Sequence, residues 1–191
     1  MSLALRLLIG AAIALIVGLG TVRIALDGEF LAGTDEIGPW TIEASGRDAT
    51  PYSAALRAIR GRIPLGNGEG IELRAIVDSA GARLDPDCVY LVRGRLPTAR
   101  LWTFTVADHT DRLPASPPGR FAATSDDILW RADGSFEIVV APRARAGNWI
   151  PSGGLASLAL TVRLYDAPSI AGLGAPDLPA ITRQSCPGDE T

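Results

Sequence analysis

The most regular hydrophobic pattern in the chain is an uninterrupted apolar run near its start. Residues Leu7–Val22 carry no charge, and Arg6 and Arg23 flank the run. Sixteen helical residues rise about 24 Å, whereas the hydrocarbon core of a bilayer is roughly 30 Å thick. The apolar residues outside the two arginines, together with extended arginine side chains, can supply the difference. The pattern predicts a single transmembrane anchor over residues 1–26.

A cleaved signal peptide has a similar pattern of charge and hydrophobicity, so it stays open as an alternative. The best available cleavage position follows Ala32, and it places the large residue Phe30 where a small one is required. We therefore favour the anchor. Either interpretation exports the rest of the chain, and we expect a protein of the bacterial inner membrane with its soluble domain in the periplasm. The flanking charges hardly discriminate between the two orientations.

The segment after the anchor predicts a linker and then one amphipathic helix. Residues 27–39 are acidic and contain glycine, which is typical of a linker, and Trp40–Ala44 is a short strand candidate. Thr50 and Pro51 have the residue types expected at a helix N-cap and first position. The predicted helix covers Pro51–Arg60. We expect its apolar face on the domain and its arginines toward solvent, the apolar positions being Tyr52, Ala55, Leu56 and Ile59.

Beyond the helix the hydrophobic period changes to two, in short runs separated by Gly, Pro and Asp. This pattern predicts a mainly β domain, an antiparallel sandwich over residues 40–179 followed by a C-terminal tail over residues 180–191. No helices alternate with the strands, which argues against a doubly wound parallel sheet. The six predicted strands are Ile71–Asp78, Cys88–Arg95, Leu101–Asp108, Asp127–Trp130, Ser135–Ala141 and Leu158–Tyr165.

Charge and cysteine content narrow the function classes. The net charge is −3 and every basic residue is Arg; from Asp27 onward 16 arginines face 21 acidic residues, a net charge of −5. Nucleic acid is therefore not an expected partner, because binding it requires a basic stripe. The two cysteines, Cys88 and Cys186, either pair in an oxidising compartment or remain as two free thiols.

Candidate catalytic and metal-binding groups are sparse. The one histidine, His109, lies between Asp108 and Asp111, and a solvated loop explains this spacing better than a Ser-His-acid device. One His and two distant Cys are too few for structural zinc, and the acidic pairs near Asp85 and Asp108 are more simply turn formers than calcium ligands. We expect no catalytic residues, no metal and no cofactor.

Aromatic and arginine residues are the remaining candidates for binding. Trp102 and Phe104 share a strand face, where they either fill the core or lie exposed. Trp149 is the best single candidate, because Asn148 and Pro151 indicate a loop in which an aromatic residue can cover a pocket. Arg143 and Arg145 precede it, and together with Arg120 they could bind a carboxylate or an acidic sugar.

The order of several landmarks resembles a known family. These landmarks are Thr50-Pro51-Tyr52, Asp87-Cys88-Val89-Tyr90, Leu101-Trp102-Thr103-Phe104-Thr105, Arg120-Phe121, Asp133-Gly134-Ser135, Asn148-Trp149-Ile150-Pro151 and Arg163-Leu164-Tyr165. The chain thereby resembles the bacterial family called domain of unknown function 1214, over roughly residues 40–179. The resemblance implies a jelly-roll-like β-sandwich and a short, singly anchored envelope protein, but no activity. Leu101 departs from the family pattern, which usually has an aromatic residue there.

Two functional hypotheses follow. The first is an envelope-tethered domain, not an enzyme, that binds a partner protein or a saccharide-like ligand. The second is a hydrolase that uses carboxylates on an envelope carbohydrate or a lipid-linked substrate. The second hypothesis requires paired carboxylates in a cleft with perturbed pKa values.

Overall fold

The computed structural model describes residues 2–27, 34–43, 51–61, 63, 65–66, 68–115, 119–167 and 178–189. The first element, α1, covers Leu3–Asp27. Its segment Leu3–Ile24 is 22 residues long, has no buried residue, and is long and apolar enough to cross a membrane. A signal sequence passes the same test, so the helix is by itself weak evidence for an anchor.

The second helix, α2, covers Pro51–Arg60, the range that the sequence predicts. The sequence predicts that the apolar face of this helix is buried on the domain. This is wrong for Ile59, whose side chain is 68% exposed, and Ala55 on the same face is half-buried. Arg57, expected in solvent, is also half-buried. The helix contacts α1, and periodicity alone could not reveal this neighbour. The predicted N-cap Thr50 lies outside the described residues.

Ten strands form two sheets. Their bounds are β1 Thr34–Ile37, β2 Trp40–Glu43, β3 Gly70–Ala75, β4 Val89–Gly94, β5 Leu101–Ala107, β6 Ala122–Thr124, β7 Phe136–Ala141, β8 Asn148–Pro151, β9 Ala159–Tyr165 and β10 Ala180–Ser185. The larger sheet has the order β1-β2-β3-β9-β5-β6, and the smaller has the order β10-β4-β7-β8. The protein is therefore mainly β, as the sequence predicts.

One hydrophobic core contains side chains from both sheets. Strand β5 buries Trp102, Phe104 and Val106, and strand β7 buries Phe136 and Ile138, which follows the period of two along each strand. Because one cluster holds both sets, the two sheets share a single interior. The other fully buried large residues include Trp40, Leu73, Tyr90, Ile150, Leu158, Leu160, Leu164 and Ile181.

The structure corrects several strand predictions. Asp127–Trp130 forms a turn and a single bridge between Trp130 and Phe136 instead of a strand. The strand in this part of the chain is β6, which lies a few residues before the predicted one. Three further strands fall where the sequence predicts none: β1 lies in the segment expected as a linker, β8 in a segment expected as a loop, and β10 in the segment expected as a tail.

Strands β7 and β8 pair in parallel, so the expectation of a wholly antiparallel arrangement is wrong at this pair. Their register joins Ile138 to Asn148 and Ala141 to Pro151. The connection between them, residues 142–147, is much shorter than the dozen or more residues usual for a parallel crossover. This segment is called the crossover loop below.

Strand β10 is held at the edge of the smaller sheet by close approach of the chain at Gly94. A Cβ atom at Gly94 would lie 2.7 Å from the Cα of Pro179, and Gly94 has a φ of 155°. Both the short distance and the φ angle require glycine at this position. The indole N–H of buried Trp40 donates a hydrogen bond to the Pro179 carbonyl at 2.7 Å. These contacts fix the start of β10 beside β4.

Candidate functional site

The outward face of the smaller sheet carries apolar side chains on three of its four strands. Strand pairing aligns Thr182 of β10 with Leu91 of β4, Leu91 with Val139 of β7, and Val139 with Trp149 of β8. The neighbours of Val139 along β7, Ile138 and Val140, are fully buried, so Val139 points away from the core. A solvent-facing sheet surface is usually polar. This one is mixed, because Leu91 and Val139 lie beside the ion pair of Arg93 with Glu137.

Two adjoining depressions lie over this face, and together they are called the sheet groove. Their volumes are about 600 and 370 Å³. Both are lined by Val89, Arg145, Gln184 and Ser185, which makes them continuous. The smaller depression also contacts Leu91, Val139 and Ala146, and the larger one also contacts Asp87, Pro142, Arg143, Cys186, Pro187, Gly188 and Asp189.

The crossover loop forms one wall of the sheet groove. Arg145 and Ala146 border the same depression as Leu91 and Val139, so the loop returns over the outward face of the sheet. The loop is short and begins at Pro142, whose φ angle is fixed by its ring. Arg143 and Arg145 are exposed on it. The structure thus brings together two of the arginines that the sequence singles out.

The two loop arginines line the same depression as two carboxylates but do not pair with them. Within the described parts of the chain, neither Arg143 nor Arg145 has a hydrogen bond or an ion pair, although five other arginines form salt bridges. Asp87 and Asp189 are the two carboxylates that line the larger depression. The Asp189 carboxylate accepts a hydrogen bond from the Cys186 backbone N–H at 2.7 Å. The sheet groove is therefore lined by aliphatic residues, by two arginines and by two aspartates.

A disulfide bond fixes the other wall. Cys88 and Cys186 are bonded across a sequence separation of 98 residues. Cys88 is buried immediately before β4, and Cys186 follows β10 and contributes to the groove lining. The bond therefore ties the C-terminal segment, which supplies Gln184 and Ser185, to the strand that supplies the groove floor.

Trp149 and Asn148 lie in strand β8, and the sequence-based expectation of a loop there is wrong. The Asn148 side chain accepts a hydrogen bond from the Leu129 N–H at 2.7 Å and donates to the carbonyls of Leu129 and Glu137. This amide thus completes backbone pairing at the sheet edge. Trp149 is half-buried, and its indole N–H donates to the Ala141 carbonyl at 3.1 Å. It flanks the groove floor one strand beyond Val139.

Trp102 belongs to a second feature, an aromatic cluster at the core. Its ring centroid lies 5.0 Å from that of Phe136 and 5.9 Å from that of Trp130, in tilted and edge-to-face geometries. Trp102 and Phe136 are buried, whereas Trp130 is 47% exposed and its N–H donates to the Ser125 carbonyl. A depression of about 410 Å³ lies over Trp102 and Trp130.

That second depression is lined by polar residues as well, including Arg95, Arg100 and Asp126. Both arginines are already engaged, since Arg95 donates to the Asp133 carbonyl and Arg100 pairs with the Asp166 carboxylate. Trp130, whose indole is exposed, was not selected as a binding residue from the sequence. The sequence around it predicts a strand, whereas the structure has a turn and a single bridge there. No sequence signal shows that Trp130 is exposed and Trp102 is buried.

Arg120 lies apart from the other candidate arginines. It is exposed and precedes β6, an edge strand of the larger sheet, whereas Arg143 and Arg145 follow β7 in the smaller sheet. Arg120 makes an interaction of its own within the chain. The structure therefore does not assemble the three arginines into one cluster.

The loop around His109 is built by structural hydrogen bonds. The Asp108 carboxylate accepts from the Thr110 N–H, the Thr110 hydroxyl and the Arg112 N–H. Burial opposes ionisation of Asp108, but these hydrogen bonds outweigh it and hold the pKa of its carboxyl below the ordinary value. Asp111 forms an ion pair with buried Arg74 at 2.7 Å.

These contacts give no support to a carboxylate-dependent hydrolase. His109 Nε2 lies 3.2 Å from the Leu158 carbonyl, so a backbone group and not a flanking carboxylate orients the ring. A general acid needs a raised pKa, whereas the pKa values of Asp108 and Asp133 are both lowered, that of Asp133 chiefly by the Ser135 hydroxyl. The raised pKa of Tyr90 follows from its burial.

The acidic turns show no arrangement for a metal ion. Asp85 and Asp87 close a turn in which the Asp87 N–H donates to the Asp85 carboxylate. In the part of the chain that the structure describes, no three His, Cys, Asp or Glu side chains are grouped closely enough to hold a metal.

Comparisons with known proteins place the chain in a family and a fold. The model of the family described as Protein of unknown function (DUF1214) matches residues 69–169. No curated protein matches. The VPA0106 protein from Vibrio parahaemolyticus is similar in structure, with a TM-score of 0.56 and 20% identity over 72% of this chain and 36% of that one. A putative uncharacterized protein from Burkholderia cenocepacia has a TM-score of 0.47 and 23% identity over 85% and 39%. The chain thus spans well under half the length of either structure.

Proposed function

The chain belongs to the family of proteins of unknown function DUF1214, and from that premise we propose that it is a membrane-anchored envelope protein whose β domain binds a partner protein. The bound element is an extended segment with apolar and acidic side chains. The family description assigns no activity, so the proposal depends on the chain's own geometry. One observation carries it: two arginines that have no ion pair among the described residues line the sheet groove together with a half-buried aliphatic floor.

The placement has two supports. The apolar α1 suits a single-pass anchor in the bacterial inner membrane. The bond between Cys88 and Cys186 suits an oxidising compartment, which favours a periplasmic domain, since thiols in the cytosol are kept reduced.

The chemistry of the sheet groove favours a peptide over a sugar. Its floor is aliphatic at Val89, Leu91 and Val139, whereas sugar rings are usually bound against aromatic faces. Arg143 and Arg145 present forked donors that match carboxylates. An extended peptide alternates its side chains, so it can place apolar groups on the floor and acidic groups against the loop.

The direct test is a binding screen of the full chain in neutral detergent against an array of acidic peptides and a panel of uronic-acid oligosaccharides. We expect retained peptides to lose about tenfold in affinity for each of Arg143→Ala and Arg145→Ala, the loss of one charge-assisted hydrogen bond. Arg83→Ala is the matched control, because Arg83 is an exposed arginine outside the groove lining. Failure of every peptide to bind, or binding insensitive to both loop variants, overturns the proposal.

Placement is tested separately in bacterial membranes. We expect the chain to remain in the membrane fraction at full length, to be digested by protease added from the periplasmic side, and to change gel mobility on reduction. A domain protected from that side, or one with free thiols, contradicts the periplasmic assignment.

A saccharide-like ligand is a second candidate, and the half-exposed Trp130 is the observation that favours it. Its indole stands at the edge of Trp102 over a depression that also contains Asp126 and Ser125. An aromatic face with adjacent hydrogen-bonding groups is the usual composition of a sugar subsite. Binding of oligosaccharides from the same panel, abolished by Trp130→Ala and unaffected by Arg145→Ala, would support this candidate.

We also infer that the two sheets form the jelly-roll-like sandwich that the family resemblance implies. The support is the single core shared by side chains of both sheets. The parallel pairing of β7 with β8 is then a local departure at one edge.

A further inference from the structure

Helix α2 leaves apolar side chains outside the protein core. Ile59 is 68% exposed, and Ile63, just beyond the helix, is 90% exposed. Ala54 and Ala58 are exposed as well. The hydrophobic core formed by both sheets includes no described residue of α2. The described apolar side chains of the segment that lie outside the core, Ile59 and Ile63, require another apolar environment.

The same segment is basic within an acidic protein. Residues 51–63 contain Arg57, Arg60 and Arg62 and no acidic residue, whereas the chain from Asp27 onward has a net charge of −5. At 100° per residue Ala55 and Ile59 share one side of the helix, and Arg57 and Arg60 share another. Apolar residues on one side and arginines on the other are typical of helices that lie in a membrane interface.

The position of α2 supplies a third, independent indication. The helix contacts α1, the one helix within the described residues that is long and apolar enough to cross a membrane. A helix that touches a membrane-spanning segment lies within reach of the bilayer surface. The charge of the segment complements the negative surface potential of anionic phospholipids.

We propose that α2 is an interfacial helix that docks, together with Ile63 just beyond its end, on the surface of an anionic phospholipid bilayer beside α1. The inference rests on the proposed membrane anchoring. Docking would place Ile59 and Ile63 at the boundary between headgroups and acyl chains, with the arginines at phosphate level. It would give the domain a second attachment to the membrane and so restrict its orientation.

The test uses the full chain in nanodiscs of phosphatidylcholine, with and without phosphatidylglycerol, and follows amide hydrogen exchange of a peptide covering residues 51–63. We expect exchange to slow when phosphatidylglycerol is present. The combined variant Ile59→Glu, Ile63→Glu should abolish this slowing. The matched control is Leu129→Glu, because Leu129 is equally exposed at 69% but belongs to the β domain; it should leave the slowing unchanged.

The charge component is measured with Arg60→Gln and Arg62→Gln. Each should weaken docking about fivefold, the factor that corresponds to one arginine near an anionic surface. Arg83→Gln should have no effect. Exchange in neutral detergent shows whether any variant has lost the helix itself, in which case the milder pair Ile59→Ser, Ile63→Ser replaces the glutamate pair.

The outcomes separate the two proposals. A chain that does not enter nanodiscs at all refutes the anchoring on which both proposals depend. If the chain enters them but residues 51–63 exchange equally fast with and without phosphatidylglycerol, the interfacial helix is refuted. It is also refuted if phosphatidylglycerol slows exchange in the isoleucine variants as much as in the wild type. Neither result contradicts the anchored binding domain.

Discussion

Removing the disulfide bond should cost a large part of the stability of the β domain. The change is the double variant Cys88→Ala, Cys186→Ala, which avoids leaving an unpaired thiol in the buried position of Cys88. The bond closes a loop of 98 residues. In the chain-entropy model, a closed loop of that length destabilises the unfolded state by about 4–5 kcal/mol. Since domains of this size are stable by about 5–15 kcal/mol in total, the variant should be marginal.

The assay is urea unfolding of the full chain in neutral detergent, followed by tryptophan fluorescence. Trp40 and Trp102 are buried, so their emission should report loss of the core. Wild-type protein under reducing conditions is the control, and it should lose as much free energy of unfolding as the variant. A loss below about 1 kcal/mol in both samples would refute the reasoning, because it would mean that the bond hardly restricts the unfolded chain.

Two further predictions concern the core and the His109 loop. Phe136→Ala should lower the free energy of unfolding by about 3–5 kcal/mol in the same assay, because Phe136 is fully buried against two tryptophans; Leu129→Ala, at an exposed site, should change it little. The Asp108 carboxyl has a lowered pKa in the folded state, so its contribution is present above the unfolded value of 3.8 and is lost as pH falls through the lower folded value. Wild type and Asp108→Ala should therefore differ in stability at neutral pH and converge at acidic pH, whereas a difference independent of pH would contradict this prediction.

The sequence predicts the central strands well because their hydrophobic period is set by the core that they enclose. Strands β5 and β9 alternate or run continuously in Leu, Val, Phe and Trp over seven residues each, and the structure places them side by side at the middle of the larger sheet. Edge strands carry a weaker signal. Strand β1 is four residues long and contains Asp35 and Glu36, and β10 has one buried residue, Ile181, in six. Such segments form strands because they pair with a neighbouring strand of the sheet, and not because of their own composition.

The candidate site was predictable only in part, and for a similar reason. Arg143 and Arg145 could be selected from sequence because they lie together before an aromatic residue. The parallel pairing of β7 with β8, which places these arginines over the sheet, could not be predicted from sequence. The crossover loop is shorter than parallel connections usually are. The floor residues were visible as alternate positions of β4 and β7, but a two-sided apolar strand does not reveal which side is open.

The residues inside the crossover loop can change more freely than the residues at its two ends. Its ends are fixed, at Ala141 by the strand ladder and at Asn148 by hydrogen bonds to Leu129 and Glu137. The residues between them contribute nothing to the shared core. Substitutions at Arg143–Ala146 can therefore alter the charge and shape of the groove wall at little cost in stability. Related proteins could diverge in their partners at this loop while the sheets beneath it stay the same.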